Sequence, residues 1–190
     1  MKRLTEYVRA GGHLVLSCRT AQKDRRGHLW EGAWAAPIND LIGAKVTAYD
    51  VLPEGVKGTV RVGETAHEWS TWAEMLEPRA GTETLAAYAD QFYANQAAAV
   101  TCRLGRGTIT YIGVESLAGS LEKDILRGIF EKASVPVENY DNGFIVDWRD
   151  GFWTATNFTA KKQLAPLSER ASLLIGTREV LPAGVAVWMQ

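Results

Sequence analysis

Cys18 is the residue whose type and position come closest to nucleophilic chemistry. It follows the apolar run His13-Leu-Val-Leu-Ser17, which is typical of a β-strand. Amidotransferase-like hydrolases carry a nucleophile on a tight turn directly after a strand. Such a turn needs small residues on both sides of the nucleophile, whereas Cys18 lies between Leu16-Ser17 and Arg19-Thr20. The sequence therefore favours a buried structural thiol and leaves a hydrolase that uses Cys18 as an alternative.

Three glutamates, Glu74, Glu77 and Glu115, are the acidic candidates for sugar hydrolysis. A retaining glycosidase needs two carboxyl groups about 5–5.5 Å apart. Glu74 and Glu77 lie beside Pro78 in a segment that we expect to be exposed, and Glu115 ends a strand that we expect to be isolated. We therefore expect solvated carboxylates and no catalytic residue.

Neither the histidines nor the glycine-rich turn predicts a metal or cofactor site. His13, His28 and His67 lack the spacing of a zinc site or a catalytic triad, so we expect each to be a surface or capping residue. The turn Gly105-Arg106-Gly107 joins two strands, whereas a phosphate loop runs from a strand into a helix. We expect a plain hairpin there, no cofactor and no metal.

The elements that position these residues form two groups. Apolar spacing and turn residues predict helices near 4–8, 37–43 and 121–133, and strands at 13–17, 45–50, 56–62, 85–89, 98–103 and 108–114. After Val135-Pro136 only strands are predicted, at 143–149, 152–158, 171–175 and 184–188. We expect an α/β domain over 1–134 and a small antiparallel β-sandwich over 135–190. Because a parallel α/β sheet usually opens with a strand, we expect the first domain to be truncated at its N-terminus.

The overall composition excludes several kinds of partner. Twenty-one basic and 22 acidic residues give a formal charge of -1, which offers no attractive field to nucleic acid or anionic lipid. The first residues lack the apolar run that is typical of an export signal, and the sequence contains no run of 18 apolar residues. Two cysteines in strand-like runs of a chain this large are typical of free thiols in a reducing compartment. We expect a cytoplasmic protein without nucleic-acid or membrane partners.

Seven tryptophans are a high count for 190 residues. Four lie in segments without a clear period, namely Trp30, Trp34, Trp69 and Trp72. Such residues can anchor a protein interface, stack on a sugar or cover the edges of a sheet. Trp148, Trp153 and Trp188 fall in alternating strands and are predicted to be sandwich core. A carbohydrate-binding module is a further alternative.

Several segments, in order, resemble the non-barrel half of glycoside hydrolase family 42 β-galactosidases. They are WAEMLEP (72–78), LAAYADQFYA (85–94), AAVTCRLGRG (98–107), TITYIGV (108–114) and LPAGVAVW (181–188). Arg19, Thr20, Lys23 and Asp24 match a pattern R-S/T-x-x-K-D that family members carry after the same strand. A short helix like that at 37–43 follows in the family as well.

The resemblance implies a fold and a role for each part of the chain. Residues 1–134 look like a trimerisation domain with a flavodoxin-like, class I glutamine-amidotransferase-like sheet, and residues 135–190 like the C-terminal β domain. The barrel that carries the catalytic glutamates of the family has no counterpart here. The implied partners are that barrel, which the loop at 19–24 would face, and the other subunits of a homotrimer. The implied role is non-catalytic assembly and domain positioning in an enzyme that hydrolyses terminal β-galactosides with retention.

Overall fold

The computed structural model describes all residues, 1–190, and divides the chain into two compact units, Met1–Val135 and Pro136–Gln190. The helices are α1 (Lys2–Arg9), α2 (Ala36–Ile42) and α3 (Ser120–Lys132). The strands of unit 1 are β1 (His13–Ser17), β2 (Ala44–Val51), β3 (Gly58–Val62), β4 (Thr65–Pro78), β5 (Thr82–Tyr88), β6 (Ala97–Leu104), β7 (Gly107–Ile112) and β8 (Val114–Ser116). Those of unit 2 are β9 (Phe144–Arg149), β10 (Phe152–Asn157), β11 (Gln163–Leu164), β12 (Ser172–Ile175), β13 (Glu179–Val180) and β14 (Val185–Met189). None of the helices has the length and apolar character that crossing a bilayer requires.

Unit 1 is built on one eight-stranded sheet in the order β1-β7-β6-β5-β3-β4-β2, with β8 paired to β4. The pair β1–β7 is parallel, and every other pair in this sheet is antiparallel. The predicted mixed α/β class is confirmed. Parallel pairing, the hallmark of doubly wound sheets, is confined to the strand that follows α1.

Helices cover both faces of this sheet and divide the core of unit 1 into two clusters. On one face, Leu121 and Ile125 of α3 pack with Trp69, Met75 and other residues of the sheet. On the other, α1 and α2 pack on the sheet through a second set of buried residues. That set includes Val8, Ile38, Leu41, Ile42, Val46, Ile109 and Tyr111. Unit 1 therefore has three layers, as amphipathic helices on an apolar sheet require.

The turn Gly105-Arg106 contacts the end of α1. The backbone N–H of Arg106 donates to the carbonyl oxygen of Arg9 at 3.3 Å, and its guanidinium Nη2 donates to that of Ala10 at 2.8 Å. The last carbonyl groups of a helix have no partner within the helix, so an arginine that supplies donors there stabilises the end. The expected hairpin is confirmed, and its turn holds the end of α1.

The longest strand, β4, lies where the sequence analysis expects an exposed, irregular segment. Its first half pairs with β3 and its second half with β2. Between the halves, Thr71 has φ of 78°, and the pairing register with β8 shifts there. Such a bulge re-aims the following side chains. Four consecutive residues, Ala73 to Leu76, are buried because this part of β4 is covered on both faces.

Unit 2 contains a four-stranded antiparallel sheet, in the order β12-β14-β10-β9, and a two-stranded sheet of β11 and β13. Its four main strands lie within one residue of the predicted bounds at either end. The core includes Trp188, which is fully buried, with Phe144, Ala155 and Ala186. The prediction that Trp148 is core is wrong, since this residue is 56% exposed on the edge strand β9.

Candidate functional site

Glu74 is the centre of the most densely bonded polar cluster of unit 1. Its side chain is fully buried in β4. Four N–H groups donate to Oε1, from the backbone of Arg19 (2.8 Å) and the side chains of Trp72 (3.1 Å), Gln22 (3.2 Å) and Trp34 (3.3 Å). The hydroxyl of Tyr111 donates to Oε2 at 2.5 Å. The expectation of a solvated carboxylate is wrong for Glu74 because protein donors have replaced water.

This arrangement gives Glu74 a structural role, because its carboxylate joins separate segments of unit 1. Its donors come from the segment after β1, from the loop before α2, from β4 itself and from β7. Burial and the negative charge of Glu74 raise the pKa of Tyr111, which therefore stays protonated and donating at neutral pH. Glu77 and Glu115 are exposed, as expected, although Glu115 lies in β8, which pairs with β4 and is not isolated.

Three aromatic rings, Trp34, Tyr49 and Trp72, stack beside Glu74, and we call them the aromatic cluster. The Tyr49 ring lies 4.6 Å from that of Trp34 and 4.7 Å from that of Trp72. The guanidinium carbon of Arg19 lies 5.1 Å from the Trp72 ring, at cation–π distance. Tyr49 is 50% exposed, so part of the cluster reaches the surface.

The segment Gln22–Trp30 folds into a small hairpin. Trp30 N–H donates to the carbonyl of Gln22, and Lys23 forms a β-bridge with Leu29. Oδ1 of Asp24 accepts from the backbone N–H groups of Arg26 at 2.8 Å and His28 at 2.9 Å. Leu29 and Trp30 are 57% and 45% exposed. The hairpin is therefore ordered by its own hydrogen bonds and presents apolar side chains to solvent.

The structure brings together some of the predicted interface residues and separates one of them. Arg19, Trp34 and Trp72 meet around Glu74, and Thr20 donates to the carbonyl of Ser17 at 2.6 Å in the turn that leads to the hairpin. Trp69 is fully buried in the core of unit 1, with its ring 6.0 Å from that of Tyr88. Its ring offers no surface to a partner.

Sequence reasoning missed Glu74, Tyr49 and Tyr111 as members of this site. The one available signal was the spacing of Trp72 and Glu74, because residues two apart in a strand lie on the same face. The other donors are distant in sequence, with Arg19 separated from Glu74 by 55 positions.

The histidines have three different environments. His67 is buried, contrary to expectation, and connects β4 to α3: its Nδ1 lies 3.0 Å from Oγ of Ser120 and its Nε2 3.3 Å from Oδ2 of Asp124. His13 is half-buried beside Thr108 and Thr110, and its pKa is lowered by burial and by Lys132. His28 is exposed.

Cys18 lacks the electrostatic environment of a nucleophile. Burial, followed by the negative charge of Glu74, raises the pKa of its thiol to about 12. Catalytic cysteines have the opposite shift, because a nearby cation or a helix N-terminus stabilises the thiolate. The environment of Cys18 therefore argues against the amidotransferase-like alternative.

We expect slow alkylation of Cys18 in the folded protein. At pH 7 a thiol with a pKa of about 12 is ionised to about one part in 10⁵, and only the thiolate reacts. Iodoacetamide labelling of a Cys102→Ser variant, in which Cys18 is the sole thiol, should be at least ~100-fold slower in buffer than in denaturant. Rapid labelling of the folded chain near neutral pH would contradict this.

Comparisons with known proteins identify relatives over the whole chain. The sequence profile of the β-galactosidase trimerisation domain matches residues 1–136. A β-galactosidase of Haloferax lucentense is 32% identical over 181 residues, which is 93% of this chain and 26% of the relative. One from Halorubrum lacusprofundi is 32% identical over 188 residues, which is 91% of this chain and again 26% of the relative.

Solved structures agree with the sequence comparisons. The polyextremophilic β-galactosidase of the Antarctic haloarchaeon Halorubrum lacusprofundi superimposes with a TM-score of 0.84 at 31% identity. The match covers 100% of this chain and 29% of that one. The present chain thus spans about a quarter of the length of the curated relatives it matches. The chain belongs to the trimerisation-domain family of the glycoside hydrolase family 42 β-galactosidases.

Proposed function

We propose that this chain is the non-catalytic assembly and domain-positioning part of a β-galactosidase. The observation that carries the proposal is the match of residues 1–136 to the trimerisation domain. The parent enzyme would hydrolyse terminal β-galactosides with retention, using glutamates of a barrel domain. The partners would be that barrel and the other subunits of a homotrimer.

We propose the hairpin Gln22–Trp30 and the aromatic cluster as the surface that meets these partners. Trp30, Leu29 and Tyr49 supply exposed apolar area of the kind that anchors interfaces. Lys23, Arg25 and Arg26 lie exposed in the same hairpin, which suits an acidic partner surface. The buried Glu74 would stabilise this surface, because it accepts hydrogen bonds from Arg19, Trp34 and Trp72.

Two finer assignments belong to the same proposal. The helix–strand unit α1–β1, joined in parallel to β7, supports a relationship of unit 1 to flavodoxin-like and class I glutamine-amidotransferase-like sheets. The free thiols of Cys18 and Cys102 suit a reducing compartment, and we place the protein in the cytoplasm.

The proposal predicts that the purified chain does not turn over a chromogenic β-galactoside. The buried carboxylate of Glu74 already accepts five hydrogen bonds, so it is a poor general acid or base. The assay should give only background hydrolysis at every concentration, with light scattering recording the mass of the species present. A barrel-containing family 42 enzyme at the same molar concentration is the positive control. Turnover that co-purifies with the chain and is lost in Glu74→Gln would overturn the proposal.

A further inference from the structure

A cleft of about 810 Å³ opens in unit 1 between α3 and the face of the sheet that this helix covers. Leu121 and Ile125 of α3 are buried, whereas Lys132, on the same side of the helix, is exposed. The gap between helix and sheet therefore widens towards the C-terminal end of α3. Gly128 lines the cleft and leaves further space there. The volume lies in the range of about 300–1,000 Å³ that is typical of small-molecule sites.

The end of the cleft nearest the core is apolar. Its walls include Val62 and Leu85 from the sheet and Ile129 from α3. These three side chains pack against the core but are only partly buried. Covering their remaining apolar area would be favourable, so a ligand that fits this end carries an apolar body.

The sheet side of the cleft carries a row of polar residues on β1, β7 and β6. His13, Thr108 and Arg103 are directly opposite one another in the pairing register, so their side chains share one face. The His13 ring is held by hydrogen bonds with Thr108 and Thr110. Burial and the charge of Lys132 lower the pKa of His13, so the ring is neutral at neutral pH. Arg103 is therefore the cation of this row.

Two cations of the lining have no anionic partner. Arg103 and Lys132 are exposed, and none of the ion pairs of the chain includes them. The third cation of the lining, Arg106, is bound to the carbonyl of Ala10 at the end of α1.

The acidic residues of the lining do not cancel these charges. Asp124 already has two partners, since its carboxylate lies 3.3 Å from Nε2 of His67 and 3.8 Å from Nη1 of Arg127. Glu83 is exposed on β5 and lies opposite Thr101. Arg103 and Lys132 thus set two positive charges against the one negative charge of Glu83, and this part of the cleft attracts an anion.

The elements around these cations favour a carboxylate over a phosphate. The planar guanidinium of an arginine binds a carboxylate through two parallel hydrogen bonds. A phosphate prefers the N–H groups at a helix N-terminus, whereas α3 lines the cleft from Asp124 towards its C-terminal end. The helix dipole at that end disfavours a doubly charged anion.

We propose that this cleft binds a small monocarboxylate with an apolar body. The carboxylate is bound by Arg103 and Lys132 beside His13, and the apolar body lies between Leu85 and Ile129. The site is built from unit 1 alone, and this binding is independent of the assembly role proposed for the chain.

The test is a titration of the whole ¹⁵N-labelled chain with 3-phenylpropionate. We expect saturable shifts of the amide signals of Thr108 and Gly128, with a Kd of about 0.1–1 mM, as suits a ligand of this size. The matched neutral probe, 3-phenylpropionamide, should bind at least about tenfold more weakly because it lacks the charge. Equal affinity for the acid and the amide would overturn the proposal, as would the absence of saturable shifts in α3 and β7.

His13 provides a second readout of where the carboxylate binds. A bound carboxylate places a negative charge beside the imidazole, which opposes the effect of Lys132. The pKa of His13, followed by the ring C–H signals, should therefore rise when 3-phenylpropionate saturates the chain. A His13 titration that does not change with the ligand would contradict the proposal.

Three substitutions of exposed residues separate this site from general binding to the surface. Arg103→Gln should weaken the binding of 3-phenylpropionate about tenfold, because it removes hydrogen bonds to a charged group. Glu83→Gln should strengthen it about twofold, because it removes a nearby like charge. The control Lys123→Gln changes an exposed lysine of α3 outside the cleft and should leave the Kd unchanged. If Arg103→Gln and Lys123→Gln have the same Kd, the proposal is wrong.

Discussion

Replacing Glu74 with alanine is expected to lower the free energy of unfolding by about 3–5 kcal/mol, because it leaves several buried donors without an acceptor. The donors that lose most are the backbone N–H of Arg19 at 2.8 Å and the hydroxyl of Tyr111 at 2.5 Å, which lie nearest to the carboxylate. The hydroxyl of Tyr111 cannot reach water easily, since Glu74 and Tyr111 are both fully buried. The measurement is urea denaturation of both proteins, followed by tryptophan fluorescence.

Two further substitutions separate the hydrogen bonds of Glu74 from its volume. Glu74→Gln keeps one acceptor oxygen, but its amide nitrogen forces Tyr111 to accept instead of donate, so we expect an intermediate loss of about 1–3 kcal/mol. Glu77→Ala changes an exposed carboxylate in the same strand and should stay within about 0.5 kcal/mol of the parent. Equal losses for Glu74→Ala and Glu77→Ala would show that Glu74 is not the centre of the cluster.

Local sequence signals predicted the elements whose boundaries depend on local chemistry. The helix α2 has Pro37 in its first turn and ends at Gly43, which has φ of 66°. Proline is preorganised for the first turn of a helix, and glycine adopts the left-handed conformation after the last turn at little cost. The β6–β7 hairpin and α3 were predicted for similar reasons. In α3, Leu121 and Ile125 are buried at helical spacing, whereas Phe130 is exposed.

The strand β4 could not be predicted because its pattern combines two environments. Alternation holds at its start, where His67 and Trp69 are buried between exposed residues. After Thr71 the strand is buried on both faces, and a strand covered on both sides loses its period of two. The resulting sequence resembles an irregular segment with scattered tryptophans.

The Glu74 cluster depends on tertiary structure alone. A glutamate is almost never fully buried unless partners satisfy it, so the sequence favoured an exposed side chain. Its partners come from segments that meet only when β1, β4 and β7 have joined one sheet. The same limit explains why the sequence did not predict that Trp148 is exposed and Trp69 is buried. Alternation of apolar and polar residues shows neither which strand lies at the edge of a sheet nor which strand a helix covers.

Gly107→Ala is expected to destabilise unit 1 by at least about 3 kcal/mol, because the added methyl group would collide with backbone that cannot move alone. A Cβ at this position would lie 2.2 Å from the carbonyl oxygens of both Val8 and Gly12. These atoms belong to the end of α1 and to the residue before β1. Avoiding them would push α1 away from the β6–β7 hairpin and break the contacts of Arg106 with Arg9 and Ala10.

The same substitution at Gly128 is the matched control for Gly107→Ala, since it adds one methyl group in open space. Apart from the local backbone of α3 itself, no atom lies within 4 Å of a Cβ at Gly128, which is in the interior of this helix. Alanine there should raise the free energy of unfolding by about 0.5–1 kcal/mol through helix propensity. Amide hydrogen exchange in β1 and β7 would report the stability of this region in each variant. If both variants have the same stability, the close approach of β7 to the end of α1 does not stabilise this part of the sheet. Gly107 would then be only a turn residue.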